Sequence, residues 1–406
     1  MLLQLKMLSG AMYKGYRMLD TLRFQNHQES ACFDEVRIND SSSNNLYLSI
    51  PFKRSRTKTE TDDKAMRLES DGALESLEIV VANMTEFVVF LGGCERMSRR
   101  PYDIYLYTNN FMFSRHVEKQ NLLTFLLEHN DFHAPAVLPI IGGVGVGKKT
   151  LVAHVCADER VRSQFSTTLH LNVIEFASDI GDDDWKKFHL FLVRMNRGSK
   201  IIIISKLKGL ARFGSVHPIF LSVLSYDEFR YLFKTLAFGS VDPAEHPRLL
   251  QLADEFANQL HNKQGSLVAI NTFSHVLRMN LTTQFWRCIF DKMTRHVKRN
   301  IYVHGAHPSK LMEQGLPVDI TDFALHPLTM TSYTSNIPIK EESPSVTFAE
   351  LLANPSVRPE GDFTLIRYES RIPPHKSFVH LVTSRAQDTH EGSSTLPGRK
   401  RRGVPI

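Results

Sequence analysis

A glycine-rich turn between an apolar segment and a helical segment constrains this chain more than any other feature. The segment from Ala136 to Ile141 is apolar and predicts a buried strand, while Lys148 to about Val161 has the spacing of a helix. Between them lies Gly142-Gly-Val-Gly-Val-Gly-Lys-Lys-Thr150. Glycines let consecutive backbone N–H groups turn toward one anion, and a helix start favours negative charge. The turn therefore predicts a loop that binds phosphate groups.

The turn matches the Walker A pattern, Gly-x-x-x-x-Gly-Lys-Ser/Thr, only as far as its lysine. Lys148 is placed to reach the outer phosphates, but the position that should carry the magnesium-binding hydroxyl is Lys149. Thr150 follows and is placed to donate to the inner phosphates. A glycine-rich turn that only lets a strand enter a helix closely is the alternative. We assign nucleotide binding to nine residues, leaving Mg²⁺ undecided: Gly142, Gly143, Val144, Gly145, Val146, Gly147, Lys148, Lys149 and Thr150.

Helical and strand patterns alternate from Phe113 to Arg299, as is typical of a parallel α/β sheet. Leu169 to Phe176 and Lys200 to Ser205 are further predicted strands. From Ser225 the pattern is helical, with Ser225 capping a helix that runs to Phe238 and Pro247 opening another that runs to His261. The predicted fold class is α/β, with a P-loop NTPase-type parallel sheet followed by a small helical subdomain.

The flanks differ from this central region. Apolar residues at helical spacing between Leu2 and Phe24 predict an amphipathic helix, and a second helix from Leu74 to about Leu91 is placed to pack on it. After His307 the periodicity fades and prolines accumulate, which predicts irregular structure. The predicted division is an N-terminal helix in 1–28, a flexible polar linker in 29–73, a helix and connector in 74–112, the P-loop subdomain in 113–210, the helical subdomain in 211–300 and a proline-rich tail in 301–406.

These residues resemble the nucleotide-binding NB-ARC module of plant disease-resistance proteins, the NLR receptors, over about Ser114 to Arg299. His154-Val-Cys-Ala-Asp-Glu-Arg-Val161 is similar to the family's helix after the loop, and Leu221 to Phe229 is the most specific match outside the loop. Ser114 to Leu123 resembles the helix that introduces the module. The N-terminal helix resembles the later part of the coiled-coil domain that precedes the module, although an ordinary amphipathic helix fits its sequence equally well.

Several departures from the family bear on chemistry. Its phosphate-sensing arginine is replaced by Lys206, our sensor candidate, and its Gly-Leu-Pro-Leu-Ala turn corresponds to Gly265-Ser-Leu-Val-Ala269 without the proline. Glu175 is the only acid at the tip of the acidic strand, a weak candidate for catalysis or for a Mg²⁺ ligand. It lies 175−150, or 25, positions after Thr150. The family needs another strand and helix in that interval, so we expect the sheet to be one strand short.

The resemblance implies an ADP/ATP-binding switch in plant defence, truncated, without leucine-rich repeats and with weak or no hydrolysis. An active P-loop ATPase and a nucleotide-independent interaction or decoy protein are the alternatives. The implied partners are the nucleotide and, through the N-terminal helices, a second copy or other immune proteins.

Composition sets broad limits on location and partners. The net charge is +6, but lysine and arginine are spread thinly except at 53–58 and 399–402, so no specific nucleic-acid reader is indicated. The four cysteines are scattered and form no zinc or redox motif. Apolar runs are interrupted by charge too early for a signal peptide or a transmembrane helix. A cytoplasmic location is expected, with peripheral membrane or nuclear association left open.

Overall fold

The structure is a computed structural model, and it describes most of the chain between residues 112 and 384 together with two N-terminal helices. The described residues are 6–21, 68–80, 112–128, 135–165, 181, 183, 185–187, 190, 198–262, 265–324, 327–332, 344–353, 361–372, 375 and 377–384. Residues 6–21 form helix α1 and residues 68–80 form helix α2. Within the described ranges, the helices include none with both the length and the apolar character needed to cross a membrane.

The first region of the fold is a parallel sheet covered by helices. Its strand order is β2-β1-β3, so β1 is central, and β1 pairs in parallel with both neighbours. The predicted strands at 136–141 and 200–205 are therefore confirmed, as is the parallel α/β arrangement. The elements are α3 (His116–Leu127), β1 (Ala136–Gly142), α4 (Lys148–Cys156), α5 (Glu159–Gln164), β2 (Lys200–Ser205), a 3₁₀ helix (Lys208–Phe213) and β3 (Ile219–Leu221).

Both faces of β1 are buried, which explains why its sequence is apolar without alternation. Leu138 and Ile140 face α3 and α4, and Val137 and Ile141 face Leu210 and Phe213 of the 3₁₀ helix on the other side. The strand predicted at 169–176 lies outside the described residues. The missing strand of the sheet therefore stays a prediction.

The single helix predicted from Lys148 to Val161 is wrong, because the structure contains two helices there. Asp158 adopts extended backbone angles, and its side chain accepts a hydrogen bond from the backbone N–H of Arg160 at 3.1 Å. An aspartate in this conformation starts a new helix rather than continuing the old one. The helix that carries the glycine-rich loop is consequently only nine residues long.

A helical region follows the first sheet, as predicted. The predicted start at Ser225 is confirmed by a capping box, in which Ser225 accepts from the Glu228 N–H and the Glu228 carboxylate accepts from the Ser225 N–H. Pro247 opens the next helix, also as predicted. The helices are α6 (Tyr226–Phe238), α7 (Pro247–His261), α8 (Leu267–Arg278) and α9 (Thr283–His304).

The N-terminal helix α1 packs directly on this helical region. The rings of Tyr13 and Tyr231 lie 4.5 Å apart, and the buried carboxylate of Asp20 accepts from Arg230 and Lys234 of α6. Helix α2 packs on α1 in turn, as predicted, because a Cβ at Gly15 would lie only 3.4 Å from Leu77 Cδ1.

Helix α2 begins earlier than the sequence pattern indicated. Residues 68–73, placed in the polar linker, are helical. Arg17 of α1 forms an ion pair with Glu69, and Ser76 bonds back to the Gly72 carbonyl oxygen. These polar contacts stabilise the first turns of α2. The prediction missed these turns because it relied on the spacing of apolar residues.

The prediction of irregular structure after residue 300 is wrong for the described part of that region. Helix α9 runs past that boundary, and a five-stranded sheet of order β4-β5-β8-β7-β6 follows, antiparallel except for the β6–β7 pair. Its elements are α10 (Pro308–Glu313), β4 (Val318–Asp319), a 3₁₀ helix (Thr321–Phe323), β5 (Leu328–Ser332), β6 (Ser345–Thr347), α11 (Phe348–Ala353), β7 (Phe363–Glu369) and β8 (Ser377–Ser384).

The prolines of this region mark the ends of elements instead of preventing them. Pro308 occupies the first turn of α10, and Pro327 and Pro344 come directly before strands. The aromatic side chains of Phe273, Phe323 and Phe348 contact one another, so α8 shares a core with the second sheet.

Candidate phosphate-binding site

The glycine-rich loop leaves the carboxyl end of β1 and enters α4. Gly145 and Gly147 have φ values of 75° and 92°, in the left-handed region that favours glycine. Gly142 packs so closely on β3 that a Cβ there would lie 2.5 Å from the Leu221 carbonyl oxygen. Three of the predicted glycines are thus required by the backbone, and they lead into the start of α4, where a helix generally leaves N–H groups without an acceptor inside the helix.

Lys148 folds back over this loop. Its Nζ donates to the carbonyl oxygens of Gly142 at 2.6 Å and Gly143 at 2.5 Å. Burial lowers the pKa of Lys148, the charges of Lys149 and Lys206 lower it further, and the charge of Glu313 acts in the opposite direction. The ammonium group therefore sits where a bound oxyanion would stabilise its charged form.

Lys206, the sensor candidate, lies at the carboxyl end of the sheet, as the loop does. It directly follows β2, which runs parallel to β1, so both strands deliver their next residues to one edge. Lys149 and Lys206 are both exposed, and the Lys206 charge acts on Lys148. The structure thus adds Lys206, which is distant in the sequence, to the adjacent pair Lys148 and Lys149, and three like charges of this kind favour a nearby anion.

The tip of the loop contacts the start of α8. The Leu267 N–H donates to the Gly145 carbonyl oxygen at 3.0 Å, and a Cβ at Gly145 would lie 2.5 Å from Ser266 Oγ. The sequence related 265–269 to a family turn without predicting this contact. The effect of Glu313 on Lys148 was also not predicted. The two residues are far apart in the sequence, and no local pattern indicates that they lie close in the fold.

The other predicted residues take less central places. Val146 is buried beneath the loop, Val144 is exposed and Thr150 lies partly buried in the first turn of α4. Glu175 lies outside the described residues, so its role stays a prediction. Within the part of the chain that the structure describes, no three His, Cys, Asp or Glu side chains are grouped to hold a metal ion.

Comparison with known proteins adds no relative. No protein-family model matches the chain, and a search of curated proteins finds no match. The fold and the site define a class at a coarser level: an α/β chain whose parallel sheet leads from its central strand through a glycine-rich, lysine-flanked loop into a helix.

Proposed function

We propose that residues Gly142 to Thr150 bind the phosphates of ADP or ATP, and that the chain acts as a nucleotide-dependent switch of the NB-ARC type in plant defence. The observation that carries this proposal is a loop with left-handed glycines in which the positive charges of Lys149 and Lys206 both act on Lys148. Backbone N–H groups at a helix start supply the remaining donors for an anion. This charge and these donors support the proposal that phosphates bind at the loop.

A switch requires that the nucleotide contact more than one part of the fold. The hydrogen bond between Leu267 and Gly145 joins the loop to α8, which shares its core with the second sheet. An outer phosphate at the loop tip would compete with or support that contact. Different nucleotides would then favour different positions of α8, which is the differential contact that a ligand-driven switch needs.

Weak or no hydrolysis belongs to the same proposal. Lys149 occupies the position of the magnesium-binding hydroxyl, and an ammonium group cannot ligate a cation. Without that ligand the metal that neutralises the leaving phosphate would be held less well. We therefore expect bound nucleotide to persist rather than turn over.

The test measures bound nucleotide on the purified full chain. Nucleotide released by denaturation is identified by chromatography, and ADP affinity is measured by calorimetry with and without Mg²⁺. Lys148→Ala should weaken ADP binding at least about tenfold, or about 1.4 kcal/mol. Lys298→Ala, which removes an exposed lysine of α9, is the matched control and should leave affinity unchanged.

Other outcomes separate the alternatives. Phosphate release that depends on both Mg²⁺ and Lys148 would indicate an active ATPase. One observation favours a nucleotide-independent interaction protein: the Lys148 ammonium already bonds to two carbonyl oxygens of its own loop. That function would be supported if neither ADP nor ATP binds at millimolar concentration.

A further inference from the structure

A second group of basic side chains lies on the second sheet. His380 of β8 pairs in register with the buried Leu365 of β7, so both side chains share the sheet face that packs on the core. Arg367 follows on β7, at the point where the register with β8 shifts. Such irregularities redirect a side chain and are frequent beside functional sites.

Arg367 has no acidic partner among the residues that the structure describes. Its Nη1 lies 3.7 Å from the Met312 Sδ of α10, a weak acceptor, and burial lowers its pKa to about 10. Arg230 of α6 is buried too, yet it bonds to the carboxylates of Asp20 and Asp254. A desolvated guanidinium without a carboxylate is costly unless something else supplies the negative charge.

His380 adds a second unsatisfied group beside this guanidinium. Its Nδ1 is buried and has no hydrogen-bond partner among the described residues. Burial lowers the pKa of His380 to about 4, and the charge of Arg367 contributes to the lowering, while a hydrogen bond to the Thr331 backbone acts in the opposite direction. The pKa of His296 on α9 is also lowered to about 4 by burial, again with a contribution from Arg367. Buried nitrogens without partners are rare in folded proteins and call for a ligand or water.

We propose that Arg367 and His380 form a binding site for a small oxyanion, of the carboxylate or phosphate class, between the β7–β8 pair and α10. The planar guanidinium matches two oxygens of such a group. A bound anion also favours protonation of His380, after which its buried Nδ1 donates to the anion. This site uses none of the residues assigned to the glycine-rich loop, and the proposal does not depend on nucleotide binding.

The experiment uses the full chain carrying Lys148→Ala, so that phosphate at the loop does not contribute. Thermal unfolding is followed with inorganic phosphate, acetate or chloride at equal ionic strength. Phosphate, acetate or both should raise Tm saturably by about 2–4 °C relative to chloride. Arg367→Met should abolish this rise, whereas Arg248→Met, an exposed arginine of α7, should preserve it.

Anion affinity of a second variant and the Tm without added anion distinguish loss of the site from loss of the fold. Arg367→Lys, which keeps the charge but loses the planar fork, should weaken anion binding about tenfold in calorimetry. Without added oxyanion, Arg367→Met should unfold at or above the parent Tm, since it removes an uncompensated charge. Chloride acting as well as phosphate and acetate, or a response retained in Arg367→Met, would overturn the site.

Discussion

Two lysines with lowered pKa values, Lys148 and Lys234, lie in regions that differ in the sign of the charges around them. Lys148, at the edge of the first sheet, faces two further lysines, and Glu313 is the acid that opposes their effect on it. Lys234 is 1% exposed in the helical region and bonds to Asp20, while Arg230 joins Asp20 to Asp254. The helical region carries its own counter-charges, whereas at the loop two positive charges and one negative charge act on Lys148.

The largest effect is expected when the buried ion pairs between Asp20 and α6 are broken. Asp20→Asn leaves Lys234 and Arg230 buried with one carboxylate fewer, because Asp20 accepts from both. Removing one partner of a buried ionic group typically costs about 3–5 kcal/mol. We expect a loss of this size in the free energy of unfolding, measured by urea denaturation.

An exposed ion pair of the same N-terminal helices is the matched control. Glu69→Gln removes one of two acidic partners of Arg17, the other being Asp227, and Glu69 is 45% exposed, so the loss should stay below about 1 kcal/mol. Adding Lys234→Met to Asp20→Asn should restore part of the stability. An Asp20→Asn variant as stable as the parent would mean that α1 is not held by this network.

The next effect is a pH dependence that belongs to the helical region. Burial lowers the pKa of Lys234 to about 8, below the 10.5 of the unfolded chain. Between these values the unfolded chain binds a proton that the native chain has lost, so stability rises with pH and falls as pH drops toward 8. From pH 8 to pH 10 the gain should be about 2 kcal/mol.

The control for this pH dependence is Lys234→Met, which should flatten the rise between pH 8 and pH 10. Higher pH is unsuitable because burial raises the pKa values of Tyr13 and Tyr231, and unfolded tyrosines ionise from about pH 10. A slope that persists in Lys234→Met would assign the effect to another group.

Much of the fold was predictable where the signals are local. The isoleucine run of β2, the apolar β1, the Ser225 cap and Pro247 each determine an element within a few residues, and each prediction is confirmed. The second sheet was missed because two of its strands, β4 and β6, have only two and three residues and because β5 pairs with a strand about fifty residues later, as between Ser332 and His380. Periodicity within one segment carries no information on such pairing.

The candidate site divides in the same way. The nine loop residues are contiguous, so sequence alone located them between β1 and α4. The approach of Lys206 follows from the parallel pairing of β1 and β2, which the alternating pattern implied. The contact between Gly145 and Leu267 and the charge of Glu313 depend on tertiary packing and were not predictable.

A smaller effect tests whether the loop backbone is as constrained as its φ values indicate. Gly147→Ala forces a side chain into a φ of 92°, which should cost about 1–2 kcal/mol in unfolding free energy. Gly143→Ala is the matched control, because its φ is not positive and its nearest neighbour, Val146 Cγ1, would lie 3.8 Å from the new Cβ. Equal losses in the two variants would contradict a specific role for the left-handed glycine.

The smallest effect concerns the feature that separates this loop from the Walker A pattern. Lys149→Thr removes one of the three lysines that face the proposed phosphate site, so metal-free ADP should bind about fivefold more weakly, or about 1 kcal/mol. It also introduces a hydroxyl able to ligate Mg²⁺, so ATP affinity should become dependent on that cation. Calorimetry with ADP and ATP, each with Mg²⁺ or with a chelator, measures both changes.

Lys149→Gln removes the charge without supplying a good cation ligand and should reproduce only the loss of ADP affinity. If both variants bind metal-free ADP as tightly as the parent, Lys149 does not add to the positive field of the loop. The contrast with the helical region, where buried basic groups pair with carboxylates, would then depend on Lys148 and Lys206 alone.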